Sequence, residues 1–498
     1  MLNIKVNFYI SFFSVDLTIN WSITQATPNY TVPTGLTSVK GKKLEKFKKE
    51  IKGKKVAVLG IGISNVPVIK SLVKLGALVS ARDKKENISD EIKALEKIGV
   101  KFVLGDKYLD GLENYDYIFR SPGIKPFTYE IEKAVELGKT TLTSEIEKVI
   151  ELAPCKIIGV TGSDGKTTTT TLISKFLETA GYKVWVGGNI GTPLFSKLDE
   201  MRKEDIVVLE LSSFQLMTLS KSPDISVITN VSPNHLDYHT DYNEYIMAKA
   251  NVFLNQNSDD ILVLNKDSDM TNKYLKLIED RNIKTNIRAF SINESVVKGV
   301  YFCDNKIYSN ISGRKTKICN LDEVKLVGMH NVANICAAAT AVYDLVDKDD
   351  IKEVVTTFGG VEHRMELVRT INNVKWYNDS IGTSPSRTIA GLKSFNKKVI
   401  LIAGGYDKNI PYEPLAPYIL DKVSHLILIG KTATKIRNAV IKEAKKENIN
   451  IDEILGIVEF NTLEECVNYA NKIAKEDDIV IEWEKIKCIG DDIILVDI

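Results

Sequence analysis

The sequence has 498 residues, 44% of them hydrophobic and 26% charged, which is typical of an ordinary globular protein of about three domains. Its 66 basic and 65 acidic residues give a net charge of +1, which argues against a nucleic-acid surface or a basic membrane-binding patch. None of the six cysteines forms a CxxC pair, so we expect neither a zinc site nor a disulfide framework, and a reducing cytoplasmic compartment fits best.

The first forty residues are apolar and aromatic and carry only three charges, on Lys5, Asp16 and Lys40. Their longest weakly polar run, Phe8 to Val15, is too short for a membrane span, which takes about 20 residues. One lysine precedes that run and no small-x-small cleavage site follows it, which disfavours a signal peptide. We therefore predict an atypical extension over residues 1–41, either disordered or the product of a misassigned start codon.

From Lys55 onward, short apolar runs alternate with segments of helical length. Strands are predicted at Val56–Leu59, Leu78–Ala81, Ile157–Val160, Ile206–Leu211, Ile225–Asn230, Ile261–Leu264, Val374–Tyr377, Val399–Ala403, Leu426–Ile429 and Ile479–Ile481. Continuous β-branched runs of this kind favour parallel sheets that helices cover on both faces. The sequence thus predicts an α/β protein with three domains, each built on a mainly parallel sheet, over residues 42–150, 151–360 and 361–498. An irregular, β-rich excursion is expected from about Thr285 to Leu321.

The first glycine-rich turn, Gly60 to Asn65, follows a predicted strand and opens a helix, with Asp83 at the end of the next strand. It resembles a dinucleotide-binding turn, but Asn65 occupies the position of the third glycine. A helix N-terminus at this place could hold a phosphate. Nucleotide binding, redox dinucleotide binding and a plain strand–helix turn all remain open from these residues alone.

The second glycine-rich turn gives a stronger signal. Cys155 to Thr170 reads as a buried strand, a glycine-rich loop and a helix that opens with Lys-Thr-Thr. Backbone N–H groups of such a loop cradle phosphates, Lys166 supplies a positive charge, and the Thr167 hydroxyl can ligate Mg²⁺. The motif is a TGxxGKT variant, since Val160 stands where the common phosphate-loop motif has glycine. We predict a phosphate site here.

Candidates for metal binding lie at the ends of neighbouring strands, where ligands gather in open parallel sheets. Glu210 closes the run Ile206–Leu211, and its carboxylate could hold Mg²⁺ or simply cap the next turn. His235 and Asp237 come directly after the strand Ile225–Asn230. Taken alone, His235 is more typical of a packed or surface histidine, although its place beside a third strand end favours a functional role. Lys249, taken alone, is typical of a solvated helix lysine.

The last third of the chain contains three polar motifs that follow or open core elements: His363–Val368, Asn378–Pro385 and Ala403–Asn409. Arg364 could clamp a phosphate, since a guanidinium suits bidentate contact. An N-cap network at Asp379 and an ordinary turn at Ala403–Asn409 are the alternatives.

Eight motifs occur in the order in which the Mur ligases have them: TGSDGKTT, GGNIGTPL, LELSSFQL, NHLDYH, the MAK triplet, HNVAN, GGVEHR and NDSIGTSP. The resemblance runs from about Lys42 to about Ile481 and is strongest to the D-glutamate-adding branch of that family. It implies a Rossmann-like UDP-binding domain, a P-loop ATPase domain and a Rossmann-like C-terminal domain. It also implies a monomer that binds neither nucleic acid nor a membrane. The implied reaction joins D-glutamate to UDP-N-acetylmuramoyl-L-alanine with ATP, through an acyl phosphate, in peptidoglycan precursor synthesis.

The resemblance also implies roles for single residues. The ATP phosphates would lie on Gly162, Ser163, Asp164, Gly165, Lys166, Thr167 and Thr168, with further nucleotide contacts from Asn334, Arg364 and Asp379. Two Mg²⁺ sites are implied, one at Thr167 and Glu210 and one at His235 and a carbamylated Lys249, and Lys166 belongs with these metal ligands to the catalytic set. The UDP substrate would contact Ile63, Ser64, Asp83 and Asn189, which removes the redox interpretation of the first glycine turn. Thr383 and Lys408 would lie on the D-glutamate side.

Two departures from the family pattern stand out. Ile381 follows Asn-Asp-Ser where many relatives have lysine. From about residue 482 the chain reads EWEKIKCIGDDIILVDI, without the serine-rich turn that helps to hold D-glutamate in the family. Two alternatives therefore stay open: another Mur-type amide ligase, or a nucleotide-binding relative impaired by this tail.

Overall fold

The computed structural model describes residues 37–235, 238–311, 313–361, 365–380, 385–405, 411–482, 486–489 and 492–495. Within these ranges the strands form three large sheets and one hairpin, which confirms the predicted α/β class with mainly parallel sheets. Most of the predicted N-terminal extension, residues 1–36, lies outside them. None of the described helices has the length and hydropathy that a membrane crossing requires.

The first sheet is wholly parallel, in the order β3-β2-β1-β4-β5. Its elements in chain order are α1 (Thr37–Ile51), β1 (Lys55–Leu59), α2 (Asn65–Lys74), β2 (Leu78–Asp83), α3 (Asp90–Lys93), β3 (Lys101–Leu104), β4 (Tyr117–Arg120), α4 (Tyr129–Glu136), β5 (Thr141–Thr143) and α5 (Glu145–Leu152). Helix α1 crosses the boundary predicted after residue 41. Strand β1 is apolar and buried on both faces after its first residue, as expected for the centre of a parallel sheet.

The second sheet has the order β14-β13-β12-β11-β10-β9-β6-β8-β7. Its elements are β6 (Lys156–Thr161), α6 (Lys166–Thr179), β7 (Val184–Gly188), β8 (Ile206–Glu210), α7 (Ser213–Leu216), β9 (Ile225–Ile228), α8 (Tyr242–Ala250), β10 (Ile261–Asn265), α9 (Met270–Asp280), β11 (Asn286–Ser291), β12 (Gly299–Cys303), β13 (Lys306–Ser309), β14 (Thr316–Asn320), α10 (Met329–Val342) and α11 (Lys348–Thr357). The expected excursion after Thr285 is β-rich, but it is a regular extension of the main sheet, because β11 pairs in parallel with β10.

The third sheet has the order β15-β16-β20-β17-β18-β19, and only the pair β15 and β16 is antiparallel. Its elements are β15 (Glu366–Ile371), β16 (Val374–Asn378), α12 (Pro385–Lys393), β17 (Val399–Gly404), α13 (Ala416–Lys422), β18 (Val423–Ile429), α14 (Ala433–Lys446), α15 (Ile451–Ile454), β19 (Gly456–Phe460), α16 (Leu463–Ile473) and β20 (Ile479–Glu482). The tail, where it is described, forms the hairpin β21 (Ile486–Ile489) and β22 (Asp492–Leu495).

Aromatic rings join the first two sheets. Phe47 of α1 meets Tyr117 and Phe195 edge to face, at centroid distances of 6.5 and 6.1 Å, and Phe119 meets Phe195 at 5.9 Å. Full burial of a phenylalanine contributes about 1.5–3 kcal/mol. This cluster therefore fixes the β4 end of the first sheet against the segment that follows β7 of the second.

Candidate active site

The loop between β6 and α6 has the geometry of an anion-binding turn. Gly162 and Gly165 have φ angles of 154° and 79°, in the region that L side chains avoid. A Cβ on Gly162 would overlap Thr229 Oγ1, and one on Gly165 would overlap Asn334 Oδ1. Helix α6 begins directly after this loop, at Lys166, so its free N–H groups and its dipole favour a bound anion.

Asn230, which follows β9, holds the same loop in place. Its Oδ1 accepts from the backbone N–H groups of Ser163 at 3.1 Å and Asp164 at 2.9 Å. The Ser163 hydroxyl donates to Ser232 O at 2.9 Å and lies 2.8 Å from the Tyr245 hydroxyl. Neither Asn230 nor Tyr245 is among the predicted site residues, although an asparagine at the end of a predicted strand is a usable signal.

Two lysines meet at one carbonyl of the phosphate loop. Lys166 Nζ donates to Gly162 O and Ser163 O, both at 2.9 Å, and Lys249 Nζ donates to the same Gly162 O at 2.8 Å and to Thr161 Oγ1 at 3.4 Å. The side chain of Lys249 is almost fully buried. Burial lowers the pKa of the Lys249 amine well below its usual range, and the charge of Lys166 lowers it further. The interpretation of Lys249 as a solvated helix lysine is therefore wrong.

Glu210 ends β8 next to the strand that feeds the phosphate loop, opposite Val160 of β6. Its Oε1 accepts from Asn189 Nδ2 at 2.9 Å, and its backbone oxygen accepts from Asn189 N at 2.8 Å. Glu210 is buried, and its Oε2 has no hydrogen-bond partner among the described residues. Leaving such an oxygen buried and unpaired is unfavourable. A hard cation such as Mg²⁺, which often binds proteins through one or two carboxylates plus phosphates, fits this oxygen.

Thr167, the second residue of α6, is half-buried. His235 has a positive φ of 54° and its ring lies 4.9 Å from that of Phe214. Among the described residues, no three His, Cys, Asp or Glu side chains are grouped as a metal cage would require. The pairing of His235 with Lys249 at a second metal ion stays a prediction.

A neighbouring histidine that the sequence did not single out is buried in the same region. His239 Nε2 lies 2.9 Å from Ser213 Oγ, and its Nδ1 lies 3.1 Å from Glu244 Oε2. Burial lowers the pKa of His239, although Glu244 opposes the shift. His239 therefore ties α7, which follows Glu210, to the start of α8, which carries Lys249.

A cavity of about 250 Å³ lies between the second and third sheets. Gly165, Thr168 and Asn334 line it from one side, and Asp379 lines it from the other. Asp379 is buried, and its Oδ1 accepts from the backbone N–H of Met365 at 3.2 Å. The structure thus brings together the predicted phosphate loop and two of the three predicted nucleotide contacts.

The first glycine turn lies on a separate sheet. Asp83 Oδ2 accepts from the backbone N–H of Ile61 at 2.7 Å, so the predicted carboxylate shapes the turn itself. Asn65 Nδ2 donates to Leu59 O at 3.1 Å and to Gly60 O at 2.9 Å. Asn65, which stands at the third glycine position, is therefore a buried residue that stabilises this turn through its two hydrogen bonds.

Of the other residues predicted for the UDP end, Ile63 is 90% exposed and Ser64 directly precedes α2. An exposed isoleucine at a turn is available to a ligand. Among the candidate residues of the sequence analysis, Asp237, Arg364, Ile381, Thr383 and Lys408 lie outside the described ranges. Their roles stay predictions.

Three family models match the chain: "Mur ligase MurD-like, N-terminal domain" over residues 54–143, "Mur ligase middle domain" over 160–342, and "Mur ligase, glutamate ligase domain" over 363–482. A UDP-N-acetylmuramoylalanine–D-glutamate ligase of Clostridium botulinum (strain Loch Maree / Type A3) is 51% identical over 437 residues, 87% of this chain and 92% of that protein. Its counterpart from Clostridium kluyveri is 50% identical over 436 residues, with the same coverage of both chains.

Solved structures show the same fold at low identity. The chain is 17% identical to UDP-N-acetylmuramate-alanine ligase MurC from Thermotoga maritima, with a TM-score of 0.52 over 86% of this chain and 95% of that one. UDP-N-acetylmuramoylalanyl-D-glutamyl-2,6-diaminopimelate–D-alanyl-D-alanyl ligase from Acinetobacter baumannii is 14% identical, with a TM-score of 0.53 over 89% of this chain and 94% of that one.

Proposed function

The chain belongs to the Mur ligase family, and we propose that it is the ligase that adds D-glutamate to UDP-N-acetylmuramoyl-L-alanine in peptidoglycan precursor synthesis. The single observation that carries this proposal is the identity of about one half to curated D-glutamate ligases over most of the chain. The MurD-like match of the N-terminal domain supports the same choice within the family. We further propose that the enzyme acts as a monomer in the cytoplasm, where ATP and nucleotide-linked sugars are made.

The reaction has two chemical steps. The carboxylate of UDP-N-acetylmuramoyl-L-alanine attacks the γ-phosphorus of ATP, the bond to the bridging oxygen breaks, and ADP leaves. The D-glutamate amine then attacks the acyl phosphate, loses a proton, and inorganic phosphate departs as the amide forms. Little covalent help from the protein is needed, so catalysis depends on positioning and on positive charge.

The phosphate loop supplies that positioning and charge in our proposal. The loop from Gly162 to Thr168 would bind the phosphate oxygens through backbone N–H groups other than those of Ser163 and Asp164, which donate to Asn230. Lys166 would place its ammonium group against the γ-phosphate. Asn334 and Asp379, which line the adjoining cavity, would hold the nucleoside. Arg364 would join them from the third domain. Since these groups bind ATP without reacting with it, each should affect the nucleotide affinity as well as the rate.

Mg²⁺ would be held by Glu210 and Thr167, and we propose a second ion at His235 and Lys249. The buried Oε2 of Glu210, which has no hydrogen-bond partner in the part of the chain that the structure describes, supports the first of these sites. When bound, Mg²⁺ supplies charge neutralisation for the phosphates. The residues of the chain orient that charge, because Asn189 fixes the Glu210 carboxylate through its other oxygen.

Lys249 would bind metal only after modification. Its depressed pKa favours the neutral amine, which can add to CO₂ to give a carbamate and release one proton. The carbamate turns a cationic side chain into an oxygen ligand for a hard cation. The hydrogen bond to Gly162 O places the amine at the phosphate loop, which supports this role.

The acceptor would extend from the first sheet to the second. Ile63, Ser64 and Asp83 would contact the UDP end, and Asn189 would contact the muramoyl end. Thr383 and Lys408 would contact D-glutamate.

The test is direct. The purified chain is incubated with ATP, Mg²⁺, UDP-N-acetylmuramoyl-L-alanine and one amino acid from a panel of D-glutamate, L-glutamate, D-aspartate, L-lysine and diaminopimelate. Phosphate release and the product mass are measured. We expect the D-glutamyl amide, with phosphate release at least about tenfold faster for D-glutamate than for any other amino acid in the panel. A different preferred amino acid would assign another Mur-type ligase, and ATP binding without any product would assign an impaired relative.

Glu210→Gln is the matched variant in this assay. The variant keeps the shape of the side chain and retains one oxygen, now that of an amide, which can still accept from Asn189 Nδ2. It removes the negative charge. We expect product formation to fall at least about 100-fold, in the range of a lost charged contact of about 2.7–4 kcal/mol. An unchanged rate would contradict the assignment of Glu210 to the metal.

A further inference from the structure

Arg120, the last residue of β4, is a buried arginine that connects the first two sheets. Its side chain is 1% exposed. Nη1 donates to backbone carbonyls of the loop 121–124, most closely to Ile124 O at 2.6 Å. Nη2 reaches the second domain, where it donates to Phe214 O at 2.9 Å and to Thr218 Oγ1 at 3.4 Å. These five acceptors are neutral oxygens, and the Tyr238 hydroxyl interacts with the same guanidinium. The contact is therefore a hydrogen-bonded fork between two backbone segments.

Within the first domain, the loop 121–124 that Arg120 holds is packed against the first glycine turn. Strand β4 pairs with β1, with Arg120 opposite Leu59. Ser121 N donates to Leu59 O at 2.9 Å, and a Cβ on Gly60 would lie 2.7 Å from Ser121 Cβ. The loop 121–124 and the proposed uridine-binding turn therefore behave as one body.

On the far side, Arg120 holds the segment that follows Glu210. The ring of Phe214 lies 4.2 Å from that of Tyr238 and 4.9 Å from that of His235. The Tyr238 hydroxyl donates back to Pro122 O at 3.0 Å, which is a second polar bridge between the same two segments. The two bridges connect the end of the first sheet to the strand end that carries the proposed metal ligands.

We propose that Arg120 is a positioning residue that sets the distance between the UDP-binding turn and the phosphate loop, so that the substrate carboxylate meets the γ-phosphate. This inference rests on the proposed function. The acceptor substrate spans both domains, whereas ATP lies between the second and third. A misplacement of about 1 Å between reacting groups can reduce a rate about 100-fold. Because arginine alone offers a rigid planar fork, lysine cannot reproduce both ends of the bridge.

The test compares Arg120→Lys and Arg120→Met with the parent and with a matched control, Arg288→Lys. Arg288 is also a buried arginine, but it donates to Thr340 O at 3.2 Å and to Asp344, both within the second domain. Steady-state kinetics give kcat and KM for each substrate, and calorimetry gives the Kd for UDP-N-acetylmuramoyl-L-alanine and for ATP. Circular dichroism and the thermal midpoint verify that each variant is folded.

For both Arg120 variants we expect kcat/KM for the UDP substrate to fall about 10- to 100-fold and its Kd to rise, with the Kd for ATP within about twofold of the parent. The control should change both affinities by less than about twofold. Tyr238→Phe removes the second bridge and the hydroxyl that interacts with Arg120, but keeps the Arg120 bonds to Phe214 and Thr218. It should shift the same parameters in the same direction by a smaller factor. It keeps the inference testable if an Arg120 variant does not fold.

Equal losses in the ATP and UDP-substrate parameters, or an effect no larger than that of Arg288→Lys, would reduce Arg120 to a structural contact and overturn the inference. Failure of the proposed function is seen separately, in the parent. If the parent binds the UDP substrate but forms no D-glutamyl product, the ratio of the two Kd values still decides the role of Arg120. If the parent binds neither substrate, both proposals are wrong.

Discussion

Gly165 allows the geometry of the phosphate loop to be tested with a single methyl group. Its φ of 79° is left-handed, which costs an L residue about 1–2 kcal/mol. In addition, a Cβ at this position would lie 3.2 Å from Asn334 Cγ and overlap Oδ1. Overpacking of this kind costs about 1–3 kcal/mol. We therefore expect Gly165→Ala to lower the free energy of unfolding by about 2–5 kcal/mol and, by displacing Asn334, to raise KM for ATP about tenfold.

The same helix provides the control. Gly181 follows the other end of α6 with a φ of 88°, and a Cβ there would meet nothing within 4 Å. Gly181→Ala should therefore lose only the backbone part, about 1–2 kcal/mol, and leave KM for ATP unchanged. Urea unfolding and ATP titration of both variants separate the two effects.

A second background isolates the steric contact. In Asn334→Ala the overlapping amide is gone, so adding Gly165→Ala should then cost no more than Gly181→Ala does. Equal stability of the two glycine variants in the parent background would contradict the inferred contact between Gly165 and Asn334 of α10. A cost of Gly165→Ala that does not fall in Asn334→Ala would contradict it as well.

Other sites lead to four further expectations. Lys166→Ala should abolish phosphate release, since its charge at the γ-phosphate contributes several kcal/mol; activity within about tenfold of the parent would contradict the phosphate-loop assignment. Lys249→Ala should be nearly inactive and partly rescued by acetate, and full activity would exclude a role at the metal. Burial lowers the pKa of His239 in the folded protein, whereas in the unfolded chain this histidine binds a proton near pH 6.5. Because the unfolded chain then binds more protons, the free energy of unfolding should fall as the pH drops below about 6.5. His239→Gln should weaken that dependence in urea titrations at two pH values. The tail lacks the family's serine-rich turn, so the parent should couple D-glutamate more slowly than a chain whose tail carries that turn. The expected difference in rate is about one to four orders of magnitude. Equal rates would show that the turn is not a determinant of D-glutamate coupling.

The sequence was most informative where both faces of a strand are buried. Strands β1, β6, β8 and β17 are continuous apolar runs, and each was predicted to within a residue or two. Strands β3 and β19 were missed because their side chains are only partly buried and their apolar runs, Phe102–Leu104 and Ile457–Val458, are short. A half-covered edge strand depends on its neighbour for stability, and that neighbour is distant in sequence.

The candidate active site likewise contains features that local sequence predicts and features that depend on residues distant in the chain. Glycine spacing predicted the turn between β6 and α6, because glycine tolerates the backbone angles of Gly162 and Gly165; phosphate binding there stays a prediction. No local pattern predicted that Lys249 is buried, since a lysine in a helix is usually solvated and its partners Thr161 and Gly162 are 88 and 87 residues away. Arg120 was missed for the same reason. Its partner Phe214 is 94 residues further along the chain.

The strand orders explain why these distant residues meet. In the first sheet the chain builds β2 and β3 on one side of β1 and then β4 on the other, so the turn after β1 and the loop after β4 flank a switch point. In the second sheet β7 and β8 lie on one side of β6 and β9 on the other, so the phosphate loop lies at a second switch point. Diverging connections leave a crevice at the carboxyl ends of such strands, which is where open α/β sheets bind ligands. Arg120 stands at the first crevice and reaches the segment that borders the second. A substrate with a nucleotide at one end and a reactive carboxylate at the other needs both crevices at a fixed separation, and this is the separation that the Arg120 and Tyr238 bridges would set.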